Sequence, residues 1–495
     1  MIRADLRGCD EPLLTQHHHV ERIISSIIFE SSAKLSVDYG IHPCPSVYPT
    51  HDVPLRTPLD PLWHDHRNRT TGVIQFRGIP YARAGRFEKP VAVTSWQGQH
   101  LEAIHRGPVC PQPPSPLDPL ITGNDPLKDM TRSEDCQHLT VTIPRNARER
   151  PDKLNVMVWI HGGSYVIGSG ESATFDAQAL ASEQDVIIVS LSYRLGLFGF
   201  LGDGEGREAN LGLFDLLEGL RWIQRNIVAF GGNPDPRSVT LFGESAGASA
   251  IADLMLVEEA TELFGRVIIQ SAPLGISRGR AKMNSALNEA ARKISRASSI
   301  EDILETTTLV QGVGKAWGLV GSMPFSPAYG HAPLPSESEV DKVRSTVAPK
   351  IAVLIGNNWD EATLFLGQVP LVGRLKWLPF VGSWIQNAAV QWLTGALYRQ
   401  SAIEFVRMYR DAGGHVSRYE LTYCVAGNEM KSTHTIDLPL LFPNKSAWSA
   451  GRMLKGVDWD EMQVKGRALR GLWADFARGR QLTASDTVPG LVDLL

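Results

Sequence analysis

The sequence predicts an α/β protein built on a large, mostly parallel central sheet flanked by helices. Two continuous apolar runs, residues 155–160 and 185–191, have the length and β-branched content of strands buried on both faces. Apolar residues recur at helical spacing between 211 and 226, and a further strand is expected at 239–242. Strand, helix and strand joined by short loops form the right-handed crossover unit of a parallel sheet.

Flanking segments extend this pattern over most of the chain. Residues 72–76 alternate apolar and polar side chains, as an edge strand does. Apolar runs at 267–271 and 350–356 predict two more buried strands, and 422–425 predicts a late strand. An amphipathic pattern at 465–476 predicts a closing helix.

Composition and charge exclude several classes of protein. The 495 residues carry 49 basic and 53 acidic side chains, which gives no electrostatic basis for binding nucleic acid or an anionic membrane. No uncharged apolar run approaches the roughly 18 residues of a spanning helix, so no transmembrane segment is expected. The sequence specifies no oligomeric state, and the expected partner is a small molecule.

The N-terminal residues and the cysteines give little sign of function. Residues 1–55 show no clear periodicity and are expected to form a poorly defined extension before a single domain at 56–495. They contain no recognisable signal peptide, which favours a cytoplasmic protein. The histidine run at 17–19 has no ligand-rich neighbour, and the five cysteines lack C-x-x-C spacing. No metal or organic cofactor is therefore expected.

The stretch around Ser245 has the form of a strand, a G-x-S-x-G turn and a run of small helix-forming residues. Gly243 and Gly247 remove side chains where strand and helix must pass closely, so the serine hydroxyl stands clear of the sheet. The following helix directs its free N–H groups at the same place. The motif alone is equally compatible with an ordinary turn and with a nucleophile.

The rest of the chain supplies the groups that a serine nucleophile needs. These are a base, an acid that orients the base, and donors for an oxyanion. In sheets of this type the side chains follow in the order Ser, Asp or Glu, and His, each after a strand. Ser245, Glu361 and His434 have that order, and a Gly-rich segment at 161–163 precedes them. The arrangement predicts acyl transfer on the serine.

Several longer motifs carry a resemblance to one family. They are F-R-G-I-P-Y-A at 76–82, E-D-C-Q-H-L-T-V at 134–141, N-L-G-L-F-D at 210–215, W-I-Q-R-N-I at 222–227 and F-G-G-N-P at 230–234. Together with the serine turn, they resemble the type-B carboxylesterase/lipase family, which includes cholinesterases and many fungal and bacterial esterases. The resemblance covers about residues 70 to 445. It implies an α/β-hydrolase fold with a small helical cap, and favours a microbial or fungal carboxylesterase.

The resemblance also implies catalytic roles. Ser245 matches the nucleophile, His434 the general base, and Glu361 the acid that orients the base. Asp360 is the competing acid one residue away, but the family places the acid at the second carboxylate. The alternative for His434 is a structural histidine, and only His415, in a Gly-Gly turn, lies at a comparable place after the acid.

An oxyanion hole is implied at the backbone N–H groups of Gly162, Gly163 and Ala246. Glycine there lets the backbone approach the oxyanion with no side chain between them. Glu244, directly before the nucleophile, is open to two interpretations: it tunes the site electrostatically, or it belongs to a structural ion pair.

Cys110 and Cys136 lie where the family has its first disulfide, so the resemblance implies a candidate bridge around a proline-rich loop. A bridge would suit secretion, which conflicts with the N-terminal sequence. The loop between the two cysteines contains no tryptophan, so the choline-stacking site of cholinesterases is not expected there.

The resulting hypothesis is a carboxylic-ester hydrolase that acts on small to medium apolar esters through an acyl-enzyme. The Trp- and Leu-rich segment 366–397 is either an apolar substrate pocket or plain core. Two alternatives are a thioesterase, lactonase or amidase with the same serine, and a non-catalytic binding protein. The binding protein would be expected to lack a triad residue, and all three are present.

Overall fold

The computed structural model describes residues 66–68, 72–94, 101–150, 153–202, 206–366 and 382–495. The expected extension, residues 1–55, lies outside these ranges. The strands in chain order are β1 (His66–Asn68), β2 (Val73–Pro80), β3 (Ala82–Arg83), β4 (Val91–Ala92), β5 (His138–Pro144), β6 (Val156–Ile160), β7 (Ile187–Leu191), β8 (Val239–Glu244), β9 (Arg266–Gln270), β10 (Ala352–Asn358), β11 (Val416–Leu421) and β12 (Val492–Leu494).

Ten of these strands form one sheet in the order β1-β2-β5-β7-β6-β8-β9-β10-β11-β12. The pairs from β7 to β11 in that order are all parallel, and the pairs at both ends of the sheet are antiparallel. The short strands β3 and β4 pair with each other. Because parallel strands end at the same edge, the loops after β6, β8, β9 and β10 meet there.

Helices cover this sheet. The α-helices are α1 (Asp118–Ile121), α2 (Gln178–Gln184), α3 (Gly196–Gly199), α4 (Leu211–Asn226), α5 (Ala246–Leu254), α6 (Ala281–Ala290), α7 (Ile300–Gly314), α8 (Val340–Val347), α9 (Thr363–Leu366), α10 (Gly382–Thr394), α11 (Gln400–Asp411), α12 (Leu438–Leu441), α13 (Lys445–Trp448) and α14 (Trp459–Ala477). Tighter 3-10 turns lie at Ala173–Phe175, Ile227–Phe230, Pro236–Ser238, Glu258–Glu262, Leu274–Ile276, Lys315–Ser322, Glu337–Glu339, Arg452–Leu454 and Ala484–Asp486. A π-helical turn, Gly395–Arg399, joins α10 to α11.

The core has one apolar layer on each face of the sheet. Alternate side chains of β6 enter opposite layers: Val158 and Ile160 pack with α4, α5 and α7, whereas Met157 and Trp159 pack with α2 and α14. All five residues of β6 are buried. Burial on both faces explains why this strand reads as a continuous apolar run rather than an alternating one.

The predicted α/β-hydrolase architecture is confirmed, with two local differences. The strand at 72–76 exists but is not the edge, because β1 pairs outside it. The strand expected at 422–425 is wrong: β11 ends at Leu421, before that segment. β11 was missed because it lies next to the last strand of the sheet and carries polar side chains, among them Arg418 paired with Glu420.

Candidate active site

Ser245 lies at the sharp turn between β8 and α5. Its backbone has φ 58° and ψ −124°, which a residue with a β-carbon rarely adopts. A β-carbon on Gly247 would lie 2.1 Å from the carbonyl oxygen of Ile160, and one on Gly243 would lie 2.6 Å from the same atom. Strand and helix therefore pass as closely as the motif predicts, and glycine is required at both places.

The glycines predicted for the oxyanion hole lie beside the serine. A β-carbon on Gly162 would sit 3.1 Å from Cβ of Ser245. Gly163 has φ +104°, and a β-carbon there would meet the carbonyl oxygen of Ile167 at 2.1 Å. Among the described residues, none accepts a hydrogen bond from the N–H of Gly162, Gly163 or Ala246. These amides are therefore free to donate to a ligand next to the serine.

The buried ring of His161 shapes the same loop. Nδ1 of His161 lies 2.8 Å from the carbonyl oxygen of Gly162. Burial lowers the pKa of His161 to about 4, so the ring is neutral at physiological pH. Tyr193 stacks on it at 4.5 Å and donates its hydroxyl to the His161 carbonyl at 2.8 Å. These contacts fix the backbone that carries the glycine amides.

His434 is paired with Glu361. Its Nδ1 lies 2.5 Å from Oε2 of Glu361, which is fully buried. The other oxygen, Oε1, accepts the backbone N–H of Asn358 at 2.7 Å. Asp360, the competing acid, instead accepts a hydrogen bond from the side-chain amide of Gln391 at 3.0 Å. The structure therefore brings His434 to the second carboxylate of the pair.

The other ring nitrogen of His434 contacts a residue whose role the sequence left open. Nε2 lies 3.1 Å from Oε1 of Glu244, and within the described residues Oγ of Ser245 makes no hydrogen bond to the ring. Burial lowers the pKa of His434, but the carboxylates of Glu244 and Glu361 outweigh it, so the pKa is raised. Burial also raises the pKa of Glu244. Of the two interpretations of Glu244, the contact favours the electrostatic one, because the carboxylate lies within ion-pair distance of Nε2.

An apolar cavity of about 130 Å³ opens beside the glycine amides. Its lining includes residues of the proline-rich loop, the side chains of Phe175, Leu438 and Trp448, and Gly162 and Glu244 of the candidate site. An engineered apolar cavity of about 150 Å³ accommodates benzene, so this space is close to the size of one aromatic ring. The sequence did not indicate Trp448, which lies far from the loop that it faces.

Among the described residues of segment 366–397, none contributes to this lining. Trp377 lies outside the described residues, Trp384 is 72% exposed, and Trp392 packs against a small separate cluster. Trp384 is therefore neither core nor pocket. A different element of the same region, the π-helical turn, brings Tyr398 to 5.4 Å from the ring of His434.

The candidate bridge between Cys110 and Cys136 is not formed. Both are free, buried thiols. A hydrogen bond with Cys110, followed by burial, raises the pKa of the Cys136 thiol well above its usual value. Sγ of Cys110 also accepts the backbone N–H of Leu195 at 3.3 Å. The two thiols lie close together, as the resemblance implied, but no covalent bond joins them.

Three further expectations concern features outside this cluster. His415, the alternative histidine, is exposed at the start of β11. Across residues 66–68, 72–94, 101–150, 153–202, 206–366 and 382–495, no set of three His, Cys, Asp or Glu side chains is placed to hold a metal ion. Over the same ranges, no helix has the length and apolar character needed to cross a bilayer.

The sheet order and the strained serine turn at its carboxyl edge define an α/β-hydrolase. A family model described as "Carboxylesterase family" matches residues 64–372, more than half of the chain. The chain therefore belongs to the carboxylesterase family, and the protein is a carboxylesterase.

Relatives and solved structures agree with this assignment. A probable N-octanoylanthranilate hydrolase of Rhodococcus erythropolis is 35% identical over 418 residues, which cover 83% of this chain and 90% of that protein. A para-nitrobenzyl esterase of Bacillus subtilis is 32% identical over 443 residues, with coverages of 82% and 86%. The structure of a thermophilic PNB esterase superposes with a TM-score of 0.67 at 29% identity, covering 83% of this chain and 89% of the other.

Proposed function

We propose that this carboxylesterase hydrolyses small to medium apolar esters through a Ser245–His434–Glu361 triad and an acyl-enzyme. The observation that carries the proposal is the 2.5 Å contact between Nδ1 of His434 and the buried carboxylate of Glu361. This contact fixes one tautomer and leaves Nε2 as the nitrogen that takes a proton.

Acylation follows from that geometry. Nε2 of His434 exchanges its contact with Glu244 for the hydroxyl of Ser245 and removes the proton as Oγ attacks the ester carbonyl carbon. The carbonyl oxygen becomes the oxyanion and accepts hydrogen bonds from the free N–H groups of Gly162, Gly163 and Ala246. The imidazolium then protonates the leaving alkoxide as the C–O bond breaks.

Deacylation repeats these steps with water in place of the serine hydroxyl. His434 removes a proton from water as the water oxygen attacks the acyl carbon of the Ser245 ester. The tetrahedral intermediate collapses, the proton passes to Oγ, and the carboxylic acid leaves. The ester and one water molecule are the reactants that balance the two halves of the reaction.

The size and lining of the cavity favour a substrate that carries an apolar group about as large as one aromatic ring. Its volume of about 130 Å³ and its Phe175 and Trp448 walls fit a phenyl or benzyl group better than a long chain. The names of two relatives, a para-nitrobenzyl esterase and an N-octanoylanthranilate hydrolase, also contain an aromatic component. The second name describes an N-acyl bond, which makes amide hydrolysis the second candidate activity.

The test is hydrolysis of p-nitrophenyl esters from acetate to decanoate by the wild type and by Ser245→Ala, with N-octanoylanthranilate as the amide substrate. We expect ester hydrolysis that is lost in Ser245→Ala and kept in Ser249→Ala. Ser249 is a matched control because it lies one turn along α5 and is 7% exposed. A folded wild type that hydrolyses no ester would contradict the proposal, and cleavage of the amide alone would favour the second candidate.

A further inference from the structure

A further buried acid lies close to the Glu361–His434 pair. Asp437, three residues after His434, is 1% exposed and directly precedes α12. Its Oδ2 accepts the side-chain amide of Gln270 at 2.5 Å, and its Oδ1 accepts the side-chain amide of Asn358 at 3.4 Å. The proposed reaction assigns no step to Asp437, yet both of its partners touch residues of the site.

Asn358 connects Asp437 to the acid and to the histidine loop. Its backbone N–H donates to Oε1 of Glu361 at 2.7 Å, and its side-chain Nδ2 donates to the carbonyl oxygen of Thr433 at 2.9 Å. Its own Oδ1 has no partner among the described residues. If the amide were flipped, this oxygen would face the carboxylate of Asp437 and the Thr433 carbonyl. Asp437 therefore fixes the orientation in which Asn358 holds the residue before His434.

Gln270 connects the same carboxylate to the nucleophile. Its backbone carbonyl accepts the N–H of Ser245 at 2.9 Å. Its side chain donates to Asp437 and accepts the indole N–H of Trp473, on α14, at 3.1 Å. One carboxylate thus joins the ends of β9 and β10 to the loop that carries His434.

We propose that Asp437 is a positioning residue for ester hydrolysis. It orients the side chains of Asn358 and Gln270, and through them it fixes the relative positions of Glu361, His434 and Ser245. This inference rests on the proposed function. It adds a residue that touches neither the substrate nor the reacting atoms. Its effect is expected on kcat, because misplacing reacting groups by about 1 Å can cost on the order of 10²-fold in rate.

Asp437 also acts through its charge. It faces Glu361, Glu244, His434 and the buried hydroxyl of Tyr419. Burial and the charge of Asp437 both raise the pKa of Tyr419. Burial and Glu361 raise the pKa of Asp437 to about 6, so it is ionised above that pH. The anion favours the imidazolium form of His434. Removing the anion therefore lowers the pKa of His434, and the acidic limb of the kcat/KM profile moves to lower pH.

The experiment compares Asp437→Asn with Asp253→Asn. Asp253 is also a buried acid of raised pKa, and it accepts the Tyr329 hydroxyl at 2.9 Å away from the triad. We expect Asp437→Asn to lower kcat about 10- to 100-fold with KM changed less than about twofold, and to move the acidic limb down. We expect Asp253→Asn to lower Tm but to leave kcat and the limb unchanged. If Asp437→Asn lowered Tm but left kcat and the acidic limb unchanged, the proposal would be overturned.

A second variant covers the case in which Asp437→Asn does not fold. Asn358→Leu removes the side-chain amide but keeps the backbone N–H that donates to Glu361, and we expect a similar loss of kcat. If both single variants fold, their combination should lose less than the product of the two single losses, because Asp437 acts partly through that amide. Wild-type kcat in Asn358→Leu would overturn the proposal. A wild type inactive on all esters would instead refute the proposed function.

Discussion

The two ring nitrogens of His434 face differently built surroundings. On the Nδ1 side, Glu361 is fully buried and each carboxylate oxygen has a hydrogen-bonded partner. On the Nε2 side, the ring contacts Glu244 at 3.1 Å, and the cavity of about 130 Å³ adjoins Glu244 and the glycine amides. The difference indicates that the Nδ1 side is assembled before substrate arrives, whereas the proposed reaction requires Nε2 to exchange its contact with Glu244 for one with Ser245.

The largest expected effect comes from breaking the Nδ1 side. Glu361→Gln keeps the shape of the side chain but removes the charge that stabilises the imidazolium, so kcat should fall about 10³- to 10⁴-fold. Asp360→Asn is the matched control, because Asp360 bonds Gln391 instead of His434. We expect it to retain kcat within a few-fold. Steady-state kinetics on one ester decides the matter, and the reverse order of effects would assign the acid to Asp360.

An intermediate effect is expected at the amides that flank the serine. In Gly163→Ala the new β-carbon would meet the carbonyl oxygen of Ile167 at 2.1 Å, so the loop must shift and its N–H groups move away from the oxyanion. Loss of one such donor costs about 10²- to 10³-fold in kcat.

Gly413→Ala is the control for this substitution. Gly413 has φ +80° and open space around it, so the variant carries the backbone strain alone. We expect it to lower Tm slightly and to keep kcat. If Gly163→Ala had the same kcat as the wild type, the N–H groups of this loop would not form the oxyanion hole.

The smallest expected effect sharpens the Nε2 side. The Glu244 carboxylate raises the pKa of His434. The proposed hydrolysis needs the neutral ring, so wild-type kcat/KM should fall as the pH drops below this pKa. The fall should begin at a higher pH than the usual pKa of histidine would give. In Glu244→Gln the pKa of His434 falls, and the limb moves to lower pH. The kcat/KM profile between about pH 5 and 10 measures the shift. An unmoved limb would show that Glu244 does not set the charge of His434.

Local patterns in the sequence predicted much of the fold and indicated most residues of the candidate site. The continuous apolar run of β6 and the helical spacing of α4 each depend on neighbours within one element, so they were visible in sequence. The turn at Ser245 was predicted by the glycines at either side, because the close passage of strand and helix is a local requirement. Glu361 and His434 came from their order and from the family resemblance.

Contacts between distant segments could not be predicted in the same way. Trp448 faces a loop that lies more than 300 residues earlier, and nothing in its own neighbours indicates a cavity. Asp437 reaches Gln270 across 167 residues. Glu244 was noticed because it precedes the serine, but its distance to Nε2 depends on where the His434 loop folds back. β11 was missed because its polar pairs hide the strand pattern.

The most direct test of the account is covalent labelling of the serine. Diethyl p-nitrophenyl phosphate phosphorylates an activated serine, and peptide mapping by mass spectrometry locates the adduct. The account predicts one adduct, on Ser245, with ester hydrolysis lost in proportion to labelling and no adduct in Ser245→Ala. An adduct on another residue that accompanies the loss of activity, or full activity in a fully labelled protein, would contradict the assignment of Ser245 as the nucleophile.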